Sequence, residues 1–207
     1  MSFRIVRAII GVILKCIFFI RVHGKENMPK EGALIVAMNH KSFWDGPLAA
    51  TVLPRQFAIM AKKELFSIPV VGAVIRWAGG FPVSRGTGDL GAIKAALSAL
   101  KKGKAMAIFP EGTRVRKGQE HKAKAGFVMI AEKTGVPIVP VAISGRYIPF
   151  SGMHVYIDKP VYIKGDDGEK LTGEQMQEIS DYLLHKILHS AGVYDTPAKE
   201  MQLWISE

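Results

Sequence analysis

The chain is predicted to fold as an α/β protein: a mixed, largely buried β-sheet flanked by helices, preceded by an amphipathic helix at a membrane interface. Three observations predict this. Short strand-like runs alternate with helix-like stretches from residue 33 to residue 190, the pattern of a sheet covered by helices. Residues 3–22 are far more apolar than a soluble surface helix needs, yet they carry four cations. The 207 residues are 48% hydrophobic and 22% charged, with no low-complexity linker, which is the composition of a single globular domain. The expected organisation is therefore a membrane-associated helix over residues 1–24 and one α/β domain over residues 25–207.

The amino-terminal segment FRIVRAIIGVILKCIFFIRV is interrupted by Arg4, Arg7, Lys15 and Arg21, whereas a bilayer crossing needs about 20 mostly uncharged residues. At about 100° per residue, Arg4, Arg7, Gly11 and Lys15 share an arc of roughly 80°, and Ile5, Ile9, Ile13, Phe19 and Ile20 lie on other faces. A basic stripe on a greasy helix suits the interface plane, with cations among headgroups and apolar side chains among acyl chains. Arg4, Arg7, Lys15, Phe18 and Phe19 are the expected membrane contacts. Lys15 splits the apolar centre and no A-x-A site follows, so a cleaved signal peptide is not expected.

Strands are expected at 33–38, 56–61, 80–83, 105–109, 137–143 and 154–163, with helices at 46–53, 68–78, 88–101 and 122–134 between them. A last helix covers 173–190. Thr172 with Gln175 forms its capping box, and Met176, Ile179, Leu183, Ile187 and Leu188 form its apolar stripe. Lys and Arg number 28 against 18 Asp and Glu, a net charge of +10 that favours an anionic partner. From residue 166 onward the charge is −6, and before it +16, so the anion should meet the first four-fifths of the chain. The one cysteine, Cys16, permits no internal disulfide and fits a reducing compartment.

The chemistry concentrates at strand ends. In NHKSFWD, residues 39–45, His40 directly follows an apolar strand and Asp45 comes five residues later. A neutral imidazole accepts a proton from a hydroxyl, and a carboxylate on its other nitrogen fixes the tautomer. Asp45 in Asp-Gly-Pro also reads as a helix N-cap, a role compatible with the first. Ser144 lies in AISGR, without the first glycine of a hydrolase elbow, and Cys16 belongs to the greasy helix, so the base is expected to act directly on a substrate hydroxyl. FPEGTR at 109–114 and GGFPVSR at 79–85 each end in arginine. Arg85 and Arg114, with Lys124 and the backbone N–H groups of Gly112 and Thr113, form a candidate phosphate clamp. Glu111 is expected to accept from a polyol substrate or to orient one of the arginines.

Other patterns carry less. Gly86, Gly88 and Gly91 spell G-x-G-x-x-G, but Asp89 would face a pyrophosphate. His185 and His189 lack a third ligand for zinc, and the basic residues lack the interleaved aromatics of a nucleic-acid platform.

From residue 33 to about 145 the sequence resembles the glycerolipid acyltransferases, which include the 1-acylglycerol-3-phosphate acyltransferases. Four blocks occur in the family's order: NHKSFWD as N-H-x-x-x-x-D, GGFPVSR through Gly79, Pro82 and Arg85, FPEGTR, and VPIVPV at 136–141. Lys124 and Gly126 resemble the K-x-G that follows, while Val115 stands where the family usually has Ser. The resemblance implies that His40 is the general base held by Asp45, and that Arg85, Glu111, Gly112 and Arg114 bind a phosphorylated glycerol acceptor. It implies acyl transfer to lysophosphatidate, giving phosphatidic acid, from acyl-CoA or acyl carrier protein as co-substrate. No resident cofactor or metal is expected, because a thiol of pKa near 8.5 leaves readily. The expected partners are the lipid acceptor, an anionic bilayer and the donor's carrier, not nucleic acid; the expected place is the cytoplasmic face of the cell membrane, peripheral or monotopic. The alternatives are an acyltransferase for glycerol 3-phosphate, another lysophospholipid or an aminolipid, and a non-catalytic lipid-binding membrane adaptor.

Overall fold

The computed structural model describes residues 3–77, 80–83, 90–116, 118–165, 169–199, 201 and 205–206. In chain order the strands are β1 (Ile20–His23), β2 (Leu34–Met38), β3 (Ala58–Lys62), β4 (Phe81–Val83), β5 (Ala105–Ile108), β6 (Ile138–Gly145), β7 (Met153–Ile157), β8 (Tyr162–Ile163) and β9 (Ile205–Ser206). The helices are α1 (Phe3–Phe18), α2 (Asp45–Val52), α3 (Pro69–Trp77), α4 (Leu90–Lys101), α5 (Gly126–Thr134) and α6 (Gly173–Ser190).

Seven strands form one sheet in the order β1-β7-β6-β2-β5-β3-β4. All neighbouring pairs are parallel except β6 with β7. Strand β2 lies in the middle, and all five of its residues are buried. A strand covered on both faces reads as a continuous apolar run, which is why LIVAM shows no alternation. Its side chains still divide by the period of two. Leu34, Val36 and Met38 join Leu48, Ala49, Val52 and Leu53 on one face, with Leu14 and Phe18 packed against them. On the other face Ile35 and Ala37 meet Ala96 and Leu100, Phe127 and Ile130, and Ile179, Leu183 and Ile187. Two apolar layers thus enclose the sheet, and the carboxyl end of β2 opens where the covering helices begin.

Helix α6 starts at the expected capping box: the Gln175 N–H donates to Thr172 Oγ1 at 3.2 Å, and the Thr172 N–H to Gln175 Oε1 at 2.7 Å. Helix α5 ends at Gly135 in the left-handed region (φ 66°), whose N–H closes on the Ala131 carbonyl at 2.8 Å.

Three expectations change. The amino-terminal helix stops at Phe18; Phe19 turns at φ 46°, and residues 20–23, expected within the same segment, form edge strand β1 beside β7. The run 154–163 is broken after Ile157 by Asp158, Lys159 and Pro160; Val161 bridges Ile138, and β8 pairs with β9 instead. Asp45 is the first residue of α2 rather than its cap, which is Trp44. No helix among the described residues is long and apolar enough to cross a membrane.

Candidate active site

The site forms where β2 ends. Asn39, the next residue, is buried and clamps β2 to β6: its side-chain oxygen accepts from the Ile143 N–H at 2.7 Å and its amide donates to the Ile143 carbonyl at 3.1 Å. These two hydrogen bonds to the neighbouring strand fix the backbone from which His40 projects.

His40 is then held on several sides. Its N–H donates to Glu111 Oε2 at 3.0 Å, and its carbonyl accepts from the Val115 N–H at 2.8 Å. Its ring stacks on Phe109, with centroids 3.9 Å apart and 16° between planes. Nδ1 lies 2.9 Å from Asp45 Oδ2. An ionised carboxylate only accepts, so Nδ1 carries the hydrogen and the lone pair is on Nε2.

Asp45 is fully buried. The turn of residues 41–44 folds it back, so that Oδ2 also accepts the N–H groups of Lys41 at 2.8 Å and Ser42 at 2.7 Å. Its other oxygen accepts the Tyr147 hydroxyl at 2.7 Å. These donors compensate a charge that would otherwise be costly to bury. The proposed cap role is therefore replaced: the carboxylate serves the histidine and its own preceding turn.

The FPEGTR loop lies against this dyad. Glu111 is 4% exposed, and its second oxygen is 3.1 Å from His121 Nδ1. In the structure it ties the His40 backbone to His121. Burial pushes the Glu111 carboxyl up, and its bonds to His121 and His40 oppose that shift. Gly112 sits at φ 66°, and its N–H closes the turn onto Phe109 at 2.9 Å, so this donor belongs to the loop rather than to an anion. The Lys124 side chain lies across Gly112; a Cβ there would stand 2.9 Å from Lys124 Cε. Thr113 and Arg114 are exposed, immediately before the residue whose N–H binds His40. The loop that bears Arg114 and is crossed by Lys124 is thus tied to the His40 backbone. Arg85, with Gly79, Gly86, Gly88 and Asp89, lies outside the described residues.

Two other titratable groups border the dyad. Lys41 donates to the Gly145 carbonyl at 2.6 Å, and burial lowers its ammonium to about 8 against the opposing pull of Asp45. Burial, followed by the charge of Asp45, pushes the Tyr147 phenol well above its ordinary value, so it remains a donor. Tyr147 and His121 escape sequence reasoning because nothing in their local spacing marks them; Tyr147 is 102 residues from its partner.

The expected membrane residues divide. Arg7 turns inward and donates to the carbonyls of Ala50, at 2.8 Å, and Leu53, at the end of α2. Phe18 packs edge-on against Tyr147, with centroids 5.7 Å apart. Lys15 and Phe19 are exposed, and the Arg4 side chain lies outside the described residues.

The structure thus places a histidine, backed by a buried carboxylate, at the strand ends of an α/β sheet and next to a loop that carries exposed Arg114 and Lys124. The chain belongs to the acyltransferase family, whose sequence profile matches residues 19–144. It is 35% identical over 146 residues to the 1-acyl-sn-glycerol-3-phosphate acyltransferase of Bacillus subtilis, covering 70% of this chain and 71% of that protein. A chloroplastic 1-acyl-sn-glycerol-3-phosphate acyltransferase of Brassica napus is 30% identical over 77% of this chain, which spans about half (49%) of that longer protein. The crystal structure of the 1-acyl-sn-glycerophosphate acyltransferase PlsC of Thermotoga maritima superposes with a TM-score of 0.66 at 30% identity, covering 88% of this chain and 74% of that one.

Proposed function

We propose that this acyltransferase moves a fatty acyl group from a thioester, acyl-CoA or acyl carrier protein, to the sn-2 hydroxyl of 1-acylglycerol-3-phosphate, giving phosphatidic acid. The observation that carries the mechanism is the 2.9 Å contact between His40 Nδ1 and the buried Asp45. It leaves Nε2 as base for the acceptor hydroxyl. As that oxygen attacks the thioester carbonyl, the proton passes to Nε2; the tetrahedral intermediate collapses, and the proton leaves with the thiol. Asp45 stabilises the imidazolium formed in between, and general-base catalysis of this kind contributes about 10²–10⁴-fold.

Arg114 and Lys124, with Arg85, hold the acceptor phosphate, and the bond from Val115 to His40 keeps the cationic loop in register with the base. Charge-assisted contacts of this type place a substrate as well as bind it. The acceptor stays in the bilayer, and the enzyme meets it as a peripheral protein at the cytoplasmic face. The exposed side of α1, with Ile9, Val12 and Ile13, rests among the acyl chains.

The test compares acceptors in one thiol-release assay with purified protein, acyl-CoA and anionic vesicles. Lysophosphatidate should give the highest kcat/KM, with phosphatidic acid as product, against glycerol 3-phosphate, lysophosphatidylcholine and an aminolipid. A higher kcat/KM for any of those would reassign the substrate, and no thiol release with any acceptor would favour a non-catalytic lipid adaptor.

A further inference from the structure

The Asp45 carboxylate is fixed at two points. One oxygen accepts from His40 Nδ1 and from the N–H groups of Lys41 and Ser42, all within the first block of the sequence. The second oxygen accepts from the Tyr147 hydroxyl at 2.7 Å, across 102 residues. The three donors on the first oxygen already fix the carboxylate plane; the tyrosine hydroxyl satisfies the remaining buried oxygen, disperses its charge and pins the far end of the group to a distant strand end.

Tyr147 is itself held by the amino-terminal helix. Its ring meets the edge of Phe18, the last residue of α1, with planes at 87°. The loop it belongs to is tied to the same helix end, because the Phe150 N–H donates to the Ile17 carbonyl at 2.7 Å and the Phe150 and Phe19 rings lie 5.4 Å apart. Among the described residues, the charged groups in contact with this tyrosine are Asp45 and the Lys41 ammonium, 5.9 Å from its ring centroid. Helix α1 thus reaches the buried carboxylate through one aromatic contact and one hydrogen bond.

We propose that Tyr147 is a positioning residue of the dyad: its hydroxyl pins the second oxygen of the Asp45 carboxylate and moderates its charge toward His40, and its ring couples that hydrogen bond to the seating of helix α1. The inference rests on His40 acting as base. A protein loosened at the helix end would lose rate at the chemical step rather than affinity for the acceptor.

The test is Tyr147→Phe, with lysophosphatidate in anionic vesicles and His40→Ala alongside. The expected result is a kcat lower by about tenfold, the acceptor KM within twofold, and a thermal midpoint that is lowered, because a buried carboxylate oxygen loses its donor, in a protein still folded at the assay temperature. The acid limb of the kcat/KM profile should also move to higher pH, because a carboxylate that has lost a donor holds the imidazolium more tightly. Unchanged kcat and acid limb, with His40→Ala inactive, would overturn the positioning role and leave the base assignment intact; an active His40→Ala would instead remove the base. Phe18→Leu tests the coupling independently, and also serves if Tyr147→Phe does not fold. It should lower kcat at constant KM, and an unchanged kcat would overturn the link to α1.

Discussion

Asn39 shows how a single side chain sets the site. It satisfies both the N–H and the carbonyl of buried Ile143, so Asn39→Leu strands two backbone groups, each costing about 1–3 kcal/mol when left unpaired. The expected outcome is a clear fall in the urea midpoint, together with a lower kcat as β2 and β6 part beneath His40. Lys41 carries a pH signature. Its ammonium is lowered to about 8 in the folded protein from a reference of 10.5. Between these values the unfolded chain binds more protons than the folded one, so stability rises with pH across that window. Lys41→Met removes this rise, and denaturation curves of the two proteins between pH 8 and 10 should diverge accordingly. His40 and Asp45 were legible in the sequence because they stand five residues apart, and a tight turn suffices to join them. Tyr147 and the clamp by Asn39 were not, because their partners come together only when distant strands pair, and His121 was not, because its bond to Glu111 depends on how one long loop folds back on itself.

Helix α1 was legible as a helix and as an amphipathic one, but its orientation was not. The arc of Arg7 and Gly11, expected among lipid headgroups, faces α2. Gly11 is buried there, where a Cβ would lie 3.1 Å from the Thr51 carbonyl oxygen, and Arg7 caps the last carbonyls of α2. Periodicity gives the angle between side chains and not which sector meets the protein; glycine at the centre of the arc allows the close helix approach, and the unpaired carbonyls of α2 attract the guanidinium. The outward sector instead presents Ile5, Ile9, Val12 and Ile13, with Val12 60% exposed. Two substitutions separate these roles. Arg7→Ala should lower stability by about 1–2 kcal/mol through the lost charge-assisted bonds, measured by thermal or urea unfolding. Ile13→Lys should leave stability nearly unchanged and weaken sedimentation with anionic vesicles severalfold, since it places a charge where acyl chains would lie.

Across the whole molecule, the alternating elements and the four blocks predicted the sheet and its helical cover, since most of the strands are locally apolar and are separated by periodic helices. Strand β1 was hidden because Ile20–His23 continues an apolar run begun by a helix, and only the pairing with Met153–Tyr156 turns it into an edge. The cationic excess before residue 166 includes the exposed Arg114 and Lys124. The proposed mechanism comes down to one claim: His40, held by Asp45, acts as the base that makes the acceptor hydroxyl nucleophilic. Single-turnover acyl transfer to lysophosphatidate by the unaltered protein and by His40→Ala tests it most directly, with circular dichroism to establish that both are folded. The expected result is a rate at least about 100-fold lower in the variant, and a folded His40→Ala that transfers acyl groups at the original rate would contradict it.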